Sequence, residues 1–416
     1  MSQSTYDIVI IGAGLAGLAA GQRLRQAGVA PLVLEARERL GGRIWTDHTH
    51  GPVELGAEFI HGEKASIWEL IKSCRIKTES WPQKKGLNTT RLYAWSGQLV
   101  TDPPDFSGRV EQLYKLAETY NGPERSAAEF IEQQTDWDDL AARFVRRRLE
   151  NVEAANVTHL SVQALAYERT VATAGWENFR VAGGYDKLVT FLAEGLDIRL
   201  QAAVHQIKWN SAGATVMLAD GESLQARHLI VTVPLSLLQA GLPMFQPALP
   251  ARKRDAIHRL AMGSVTKLAL WFDEVFWEPF AFLNTNGLVT TWWPVYTRKT
   301  PVLMGYTGGP TSLLLGALGE ARAIHQGLSE LAGFYGDIVR QRYVAGRMVD
   351  WAREPWTRGS YSYTPVGAGD ARADLATPVE WTLFFAGEAT HTQGHLATTH
   401  GAIETGRRAA AEILAL

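Results

Sequence analysis

The sequence predicts a two-domain protein, in which an α/β domain built from separated pieces of the chain is interleaved with an α+β domain of mixed sheet and helices. Three observations predict this class. A strand–turn–helix–strand pattern opens the chain over residues 6–35, the composition becomes helical from 76 to about 180, and short strands return from 197 onward. A length of 416 residues also favours two domains over one.

The first predicted element is a buried strand that leads directly into a glycine-rich turn. Residues 6–11 are apolar and β-branched except for Asp7, a pattern typical of a strand buried on both faces. A helix pattern then runs to Gly28, a residue type that favours the C-cap position, and residues 32–35 predict a second strand. The glycines of the turn are Gly12, Gly14 and Gly17.

Each of these glycines has a physical reason. Gly12 allows the tight turn out of the strand, Gly14 lets a pyrophosphate approach the backbone, and Gly17 lets the helix pack closely on the strand. The N-terminus of the helix offers free N–H groups to an anion. Glu35, eighteen residues after Gly17, can accept the hydroxyl protons of a ribose. The pattern therefore predicts a Rossmann-like dinucleotide site, because a ligand-free glycine turn would not explain Glu35.

The residues that follow Glu35 indicate which dinucleotide is bound. Residues 35–43 resemble the second fingerprint of a large flavoprotein class through Ala36, Arg37, Gly42 and Arg43. In that class the double glycine brings the backbone to the FAD phosphates, and the arginine reaches the flavin. Plain nicotinamide dehydrogenases lack this extension, so the sequence favours FAD over NAD.

Composition excludes several classes of protein. A net charge of −2 and a pI near 6.6 argue against an electrostatic nucleic-acid binder. The single cysteine, Cys74, allows no internal disulfide, and we predict no metal site. We expect no membrane span, because no stretch reaches about 18 uninterrupted apolar residues. The N-terminal apolar run is the glycine fingerprint rather than a signal peptide, so we expect a reducing, cytoplasmic setting.

The middle of the chain predicts a mainly helical insertion. Its helix-like segments are 107–120, 125–133, 137–151 and 161–168. Within it, Arg146, Arg147 and Arg148 predict a solvated helix face. Beyond it, the predicted strands include 228–233, 264–272 and 383–386, and the predicted helices include 185–194, 317–333 and 400–414.

These elements define the predicted domains. We assign residues 1–75, 181–250 and 380–416 to an FAD-binding domain. We assign residues 76–180 and 251–379 to a substrate-binding domain. Because the two are interleaved, the interface between them is the natural place for an active site.

Three sets of residues are candidates for chemistry. Lys267 lies on the same strand face as Val265, Ala269 and Trp271, so either this face meets solvent or the lysine has a buried partner. Trp351, Trp356 and Tyr361 form an aromatic cluster that is either core packing or the lining of a site. Thr398 and Thr399 open the last helix, whose N–H groups can face an electron-rich flavin carbonyl.

The segments that carry these residues resemble the flavin-containing polyamine oxidases, the branch of the monoamine oxidase superfamily that includes spermine oxidase and N1-acetylpolyamine oxidase. The matching segments run in order along the chain and leave out only 76–180. They are 12–17 with Glu35, 41–43, 54–57 with 60–62, 230–234, 263–267, 351–363, and 387–391 with 398–401. The resemblance implies an amine oxidase-like two-domain fold.

The resemblance also implies roles for individual residues. Lys267 would hold a water near flavin N5, Trp351, Trp356 and Tyr361 would line the amine site, and His61 would lie near the substrate. Thr398 stands where the covalent monoamine oxidases have their second cage tyrosine. The further residues implied in FAD binding are Gly56, Ala57, Val204, Gly387, Glu388 and Thr399.

The implied reaction is oxidation of a polyamine (spermine, spermidine or an acetylated form). Hydride leaves the carbon next to a neutral nitrogen, and a dry aromatic pocket disfavours the ammonium form. The imine product hydrolyses to an aldehyde plus an amine, and O2 or another acceptor reoxidises the flavin. Ser360 stands where the covalent enzymes have cysteine, so noncovalent FAD is expected. The oligomeric state stays open, with a homodimer as one alternative.

Several alternatives stay open at this point. The donor could instead be a monoamine or an amino acid, and Arg358, beside the aromatic cluster, is a candidate to bind an amino-acid carboxylate. A noncatalytic flavin-binding protein and a demethylase of protein tails are weaker alternatives. Glu58 could meet a distal ammonium of the substrate or make a structural hydrogen bond.

Overall fold

The structure, a computed structural model, describes residues 4–81, 91–95, 98–101, 106–134, 137–295 and 301–416. Its strands are β1 (Ser4–Ile11), β2 (Leu32–Leu34), β3 (Thr46–Asp47), β4 (Val53–Glu54), β5 (Phe59–His61), β6 (Thr78–Trp81), β7 (Arg91–Trp95), β8 (Gln98–Val100), β9 (Asn178–Val181), β10 (Asp197–Arg199), β11 (Val204–Asn210), β12 (Gly213–Leu218), β13 (Ser223–Val231), β14 (Met244–Gln246), β15 (Ala261–Met262), β16 (Val265–Phe272), β17 (Phe282–Asn284), β18 (Thr291–Pro294), β19 (Val302–Gly308), β20 (Tyr343–Asp350), β21 (Ser362–Tyr363) and β22 (Leu383–Phe385). Its helices are α1 (Leu15–Gln26), α2 (Trp68–Ser73), α3 (Phe106–Glu118), α4 (Ala127–Glu132), α5 (Asp139–Glu153), α6 (Val162–Val171), α7 (Asp186–Ala193), α8 (Leu235–Gln239), α9 (Ala251–Arg259), α10 (Pro310–Ala317), α11 (Glu320–Tyr335), α12 (Ile338–Gln341), α13 (Ala371–Ala376) and α14 (Thr399–Leu414).

The first sheet joins the two ends of the chain to its middle. Strands β10, β2, β1, β13 and β22 run parallel in that order, so the C-terminal β22 lies beside β13. The first half of β13 pairs instead with β12, and β12 continues through β11 to β14. The sheet therefore divides at β13, and its parallel part carries the glycine turn.

Both faces of this parallel sheet are covered. Ile8 and Ile10 of β1 pack against α1, α7 and α14, whereas Val9 and Ile11 pack against the β11–β13 layer together with α9 and α13. A strand covered on both faces must be apolar at every position, which explains the unbroken apolar run of residues 8–11. The predicted doubly buried strand is confirmed over these residues, whereas Asp7 is exposed.

The second sheet carries the predicted lysine. Its strand order is β20-β16-β19-β18-β17-β7-β8, and every neighbouring pair except β17–β7 is antiparallel. All eight residues of β16 are buried. Leu268 and Leu270 pack under α10 and α11, while Val265 and Ala269 face the other way, toward Trp351. Of the two alternatives for the face that carries Lys267, exposure to solvent is therefore wrong.

Among its described residues, the predicted insertion contains four helices, α3 to α6, which share one apolar cluster. It also contains strands that the sequence interpretation missed. Strands β7 and β8 extend the second sheet, and β6 and β9 form a small sheet with β5, across the predicted boundaries at 75 and 181. These strands are three to five residues long, and β6, β7 and β9 have partners far along the chain, so local pattern carries little signal for them. The predicted fold class of two interleaved α/β and α+β parts is confirmed.

Candidate active site

A single cavity of about 780 Å³ runs from the glycine turn after β1 to the second sheet and α5. It brings together nearly all the residues that the sequence singled out. Those that line it are Gly12, Gly14, Glu35, Ala36, Arg37, Gly42, Arg43, Gly56, Ala57, His61, Val204, Lys267, Trp351, Trp356, Tyr361, Gly387, Glu388, Thr398 and Thr399. Gly17 does not line the cavity and serves the fold instead.

The three glycines after β1 do different physical work. At Gly14 a Cβ would meet no atom within 4 Å, so the backbone stands open to the cavity. At Gly17 a Cβ would lie 1.9 Å from the Gly12 carbonyl oxygen, so only glycine lets α1 approach the turn. Gly12 itself has a φ of +107°, a backbone region that glycine adopts without strain. Helix α1 begins after Gly14 with no side-chain cap, which leaves its first N–H groups free for an anion.

Glu35 closes one end of this cradle. Its carboxylate is buried and accepts hydrogen bonds from the backbone amides of Ala13 at 2.8 Å and of Arg37 at 3.0 Å. Each oxygen retains a further acceptor position, and the residue lines the cavity. The Arg37 guanidinium forms a two-point contact with Glu354, which ties the cradle to the loop before Trp356.

Arg43 and Glu388 link the cradle to the C-terminal segment. Arg43 Nη1 donates to Glu388 Oε1 at 2.8 Å and to the Ser360 carbonyl at 2.6 Å. Glu388 also accepts from the Ser362 hydroxyl at 2.7 Å and from the Ala397 amide. Burial opposes ionisation of Glu388, but the charges of Arg43 and Arg372 outweigh it and hold its pKa below the usual range. Glu388 is therefore an anionic junction between the three segments of the cavity wall.

Two local features of this wall fit a bound dinucleotide. Gly387 has a φ of +128°, and a Cβ there would meet no atom within 4 Å, so the backbone is open as it is at Gly14. The Ser360 Oγ atom is buried without a hydrogen-bond partner among the described residues, although Ser360 lines the cavity. A buried hydroxyl normally has a partner, and a ligand in the cavity would supply one.

Lys267 is held by three acceptors on the cavity wall. Its Nζ atom donates to the carbonyls of Glu54 at 2.8 Å and Gly56 at 3.0 Å, and to Glu58 Oε2 at 2.9 Å. An ammonium group has three N–H donors, so the protein engages all of them here. To hold a water, as the resemblance implies, Lys267 must exchange one of these bonds.

Glu58 makes a structural contact, one of the two alternatives that the sequence left open. Its second oxygen lies 2.8 Å from Arg180 Nη2 and accepts from Trp293 Nε1 at 2.9 Å. Burial opposes ionisation of Glu58, but Lys267 and Arg180 outweigh it and lower its pKa. Both carboxylate oxygens therefore serve the protein's own cations.

Aromatic side chains form the apolar part of the cavity. Trp351 is buried and donates from Nε1 to the Leu55 carbonyl at 2.9 Å, which fixes the indole plane. The Tyr361 hydroxyl lies 2.8 Å from the Tyr306 hydroxyl and 2.8 Å from the Val152 carbonyl. Burial raises the pKa of Tyr306 to about 12, so both phenols stay protonated and neutral near pH 7.

His61 and the start of α14 complete the wall. His61 exposes its ring to the cavity, and its Nδ1 lies 2.7 Å from Asn178 Oδ1. The surrounding protein lowers the pKa of His61 by burial, which favours the neutral ring. Thr398 caps α14 by accepting from the Gly401 amide, and the Thr399 hydroxyl lies 2.7 Å from the Tyr185 hydroxyl. The first turn of α14 therefore faces the cavity.

Several residues of the site were missed by sequence reasoning. Tyr306 and Trp293 line the cavity from β19 and β18, and Arg148 and Glu153 line it from α5. The predicted solvated face of Arg146, Arg147 and Arg148 is wrong in part, since all three are half-buried. The signal available in the sequence was the amphipathic spacing of α5, which would have placed Arg148 and Asn151 on one face.

A second polar cluster lies beside the cavity, on either side of α14's start. His391 Nε2 and His395 Nδ1 lie 2.6 and 2.9 Å from Glu404 Oε2. The other ring nitrogens accept from backbone amides, so the proton of each ring is assigned to the side facing Glu404. A metal bound at those nitrogens would require each ring's proton to point at a backbone donor. The cluster is therefore a hydrogen-bonded array that fixes the segment before α14.

A Rossmann-like cradle that opens into an apolar cavity with a buried lysine defines a flavin-dependent amine oxidoreductase. The chain belongs to the family of flavin containing amine oxidoreductases, whose family model matches residues 15–414. FAD is the cofactor of this family, and the glycine cradle, Glu35 and Arg43 are the residues that would hold it here.

Relatives within the family are named for different activities. The chain is 31% identical over 452 residues to polyamine oxidase 4 of Oryza sativa subsp. japonica, covering 98% of this chain and 88% of that protein. It is 32% identical over 440 residues to lysine-specific histone demethylase 1 homolog 2 of Arabidopsis thaliana, covering 98% of this chain. The chain spans 58% of that demethylase's length.

Solved structures share the fold. Wild-type putrescine oxidase bound to putrescine superposes with a TM-score of 0.84 at 24% identity, over 99% of each chain. Cyclohexylamine oxidase from Brevibacterium oxydans superposes with a TM-score of 0.84 at 24% identity, over 98% of each chain. No helix within the described ranges is long and apolar enough to cross a membrane.

Proposed function

We propose that this protein oxidises a polyamine, such as spermine, spermidine or an acetylated form, at a C–N bond. The observation that supports the proposal most directly is the set of side chains that line the cavity. Lys267, the Trp351–Tyr361 aromatic wall and the carboxylate of Glu153 line one cavity that continues into the dinucleotide cradle. An apolar section followed by a carboxylate suits an extended amine that carries a second positive charge.

The chain's own side chains have distinct tasks in this reaction. Trp351, Trp356 and Tyr361 exclude water, and their low polarity favours the neutral form of the reacting nitrogen. Bound FAD supplies the hydride acceptor. Loss of hydride from the carbon beside nitrogen gives an imine, which hydrolyses to an aldehyde and an amine. O2, giving H2O2, or another acceptor then restores the oxidised flavin.

Glu153 is the proposed acceptor for a distal ammonium of the substrate. It lies at the end of α5, next to Val152, whose carbonyl accepts from Tyr361. One carboxylate oxygen accepts from the Tyr114 hydroxyl at 2.8 Å. Burial raises the pKa of Glu153, and the positive charge of an ammonium beside it would favour the ionised carboxylate and pair with it.

FAD is proposed to be bound without a covalent link. Ser360 occupies the position before Tyr361, and a serine hydroxyl offers no thiolate for a thioether bond. Acid precipitation should release all the flavin into the supernatant, and flavin that stays with the precipitated protein would contradict the proposal.

Anaerobic reduction of the flavin by a panel of amines tests the function. Spermine, spermidine and their acetylated forms should bleach the yellow protein faster than benzylamine, an amino acid or a methylated lysine peptide. Glu153→Gln should slow flavin reduction by the polyamines more than flavin reduction by the other amines. Faster bleaching by the peptide would favour a demethylase activity, for which several relatives are named, and no bleaching by any amine would refute the proposal.

A further inference from the structure

Arg148 is a cationic side chain of the cavity wall, and the part of the chain that the structure describes provides no anionic partner for it. Among the described residues, no carboxylate oxygen lies within the 4.0 Å ion-pair distance of its guanidinium. Its Nη1 makes a long contact of 3.4 Å to Thr291 Oγ1. Burial lowers the pKa of Arg148, and the like charge of Arg91 lowers it further.

Each of the two neighbouring arginines has a close acceptor of its own. Arg146 pairs with Glu132 at 2.8 Å, and Arg147 donates to the Gly287 carbonyl. Only the third arginine of the run lines the cavity. A guanidinium carries five N–H donors, and the one side-chain contact of Arg148 among the described residues is the long one to Thr291. Because Arg148 lines the cavity, a ligand that brings an oxygen acceptor can bind the remaining donors.

The sheet register gives the distance of Arg148 from the reacting end. Lys267 of β16 lies directly opposite Tyr306 of β19, and Tyr306 lies opposite Thr291 of β18. Directly opposed residues project from the same face, so these three side chains form a row along the cavity wall. Neighbouring strands lie about 4.8 Å apart, so Thr291 and the Arg148 that contacts it lie roughly 10 Å from Lys267.

We propose that Arg148 forms a subsite for an oxygen acceptor, an acyl carbonyl or a carboxylate, at the end of the amine substrate far from the reacting nitrogen. The inference rests on the proposed amine oxidation. A terminal ammonium in the same place would meet a charge of the same sign inside a low-dielectric cavity. A substrate with an inner ammonium for Glu153 and a terminal oxygen for Arg148 satisfies both side chains.

Calorimetric titration of the FAD-loaded protein tests the subsite without turnover. Hexanamide supplies a neutral acyl oxygen and hexanoate supplies a carboxylate. Arg148→Gln should weaken whichever probe binds by about 10- to 100-fold, the range expected for hydrogen bonds to a charged group. Arg143→Gln is the matched control, since Arg143 is exposed on the same helix and donates to the Asp139 carbonyl. It should leave binding unchanged.

Flavin reduction under anaerobic conditions tests the effect on substrate choice. The wild type should prefer mono-N-acetyl-1,6-diaminohexane or 6-aminohexanoate to 1,6-diaminohexane, and the better of the two identifies the acceptor. In Arg148→Gln the preference should fall by about 10-fold or more, while the rate with the free diamine stays level or rises. Arg148→Lys keeps the charge but loses the planar pair of N–H donors, so its preference should lie between those of the wild type and Arg148→Gln. It serves as the test if the glutamine variant misfolds.

The outcomes separate the two proposals. If no amine reduces the wild-type flavin, the proposed function fails, and the calorimetry still decides whether the subsite exists. If neither hexanamide nor hexanoate binds the wild type, or if Arg148→Gln and Arg143→Gln bind both probes equally well, the subsite is refuted. An undiminished preference in Arg148→Gln would refute it as well.

Discussion

The Nζ atom of Lys267 lies 2.9 Å from the Oε2 atom of Glu58, and both side chains are buried. The two residues are 209 positions apart, so only the folded chain brings them together. Arg180 and Trp293 hold the other oxygen of Glu58. This buried cluster fixes the lysine on the cavity wall. The position of Lys267 therefore depends also on Arg180 and Trp293, which hold its partner Glu58.

Glu58→Gln should destabilise the protein strongly. The change leaves Lys267 and Arg180 buried without their shared carboxylate, and breaking a buried pair in this way costs roughly 3–5 kcal/mol. Chemical denaturation of wild type and variant measures the difference. Glu79→Gln, an exposed position on β6, is the control and should change stability by no more than about 0.5 kcal/mol. A Glu58 variant as stable as this control would show that the cluster contributes nothing.

Lys267→Met should retain FAD and slow either flavin reduction or flavin reoxidation by about 100-fold or more, in the range seen when a positioned proton-transfer group is lost. The methionine side chain keeps most of the bulk of lysine but has none of its three N–H donors. Stopped-flow measurement of both half-reactions checks this. Lys208→Met, exposed on β11, controls for the loss of one charge. Wild-type rates in both half-reactions would eliminate a role for Lys267.

Gly14→Ala and Gly17→Ala should fail for opposite reasons. At Gly14 a methyl group has free space and an extended backbone, so the fold should persist while FAD affinity falls. At Gly17 the methyl group would lie 1.9 Å from a backbone oxygen, so the fold itself should be destabilised. Thermal unfolding of the FAD-free proteins and FAD titration separate these effects. Equal loss of stability in both variants would contradict the division of tasks.

The pH dependence of stability should contain a contribution from Glu54. Burial raises the pKa of Glu54 to about 7, against opposing bonds from the Tyr185 amide and the Thr46 hydroxyl. Because the folded state holds this proton more tightly, the contribution is complete below about pH 4.5 and is lost as the pH rises through about 7. Linkage puts the difference at about 3 kcal/mol.

Glu54→Gln imitates the protonated side chain and removes this dependence. Relative to wild type, the variant should therefore be more stable at pH 8 than at pH 5, by most of that difference. Denaturant unfolding at the two pH values measures it, and the other titrating groups cancel because both proteins carry them. The same relative stability at pH 5 and pH 8 would show that Glu54 does not ionise in this range.

The parts of the site that local sequence encodes were predictable, and those that depend on strand register were not. The turn at Gly12 to Gly17 needs only neighbouring residues, so its glycines could each be given a task. Lys267 could be marked as unusual, but its partner Glu58 could not be found, because no local pattern gives the approach of two distant segments.

Arg148 illustrates the same limit from the other side. A run of three arginines on a helix is most often solvated, and two of the three do have ordinary partners. Arg148 lines the cavity because α5 packs against β18 and β19, and local sequence does not encode this tertiary packing. The strands at 78–81 and 91–95 were missed for a related reason, since their distant pairing partners begin at 178 and 282.

The central claim, that this cavity oxidises an extended amine, is tested most directly by a single anaerobic turnover. One equivalent of spermidine or its acetylated form is mixed with the flavin-loaded protein, and the products are identified by mass spectrometry. We predict loss of the yellow colour together with one aldehyde and one amine per flavin. An unchanged oxidised flavin with the amine recovered intact, for every extended amine tried, would contradict the claim.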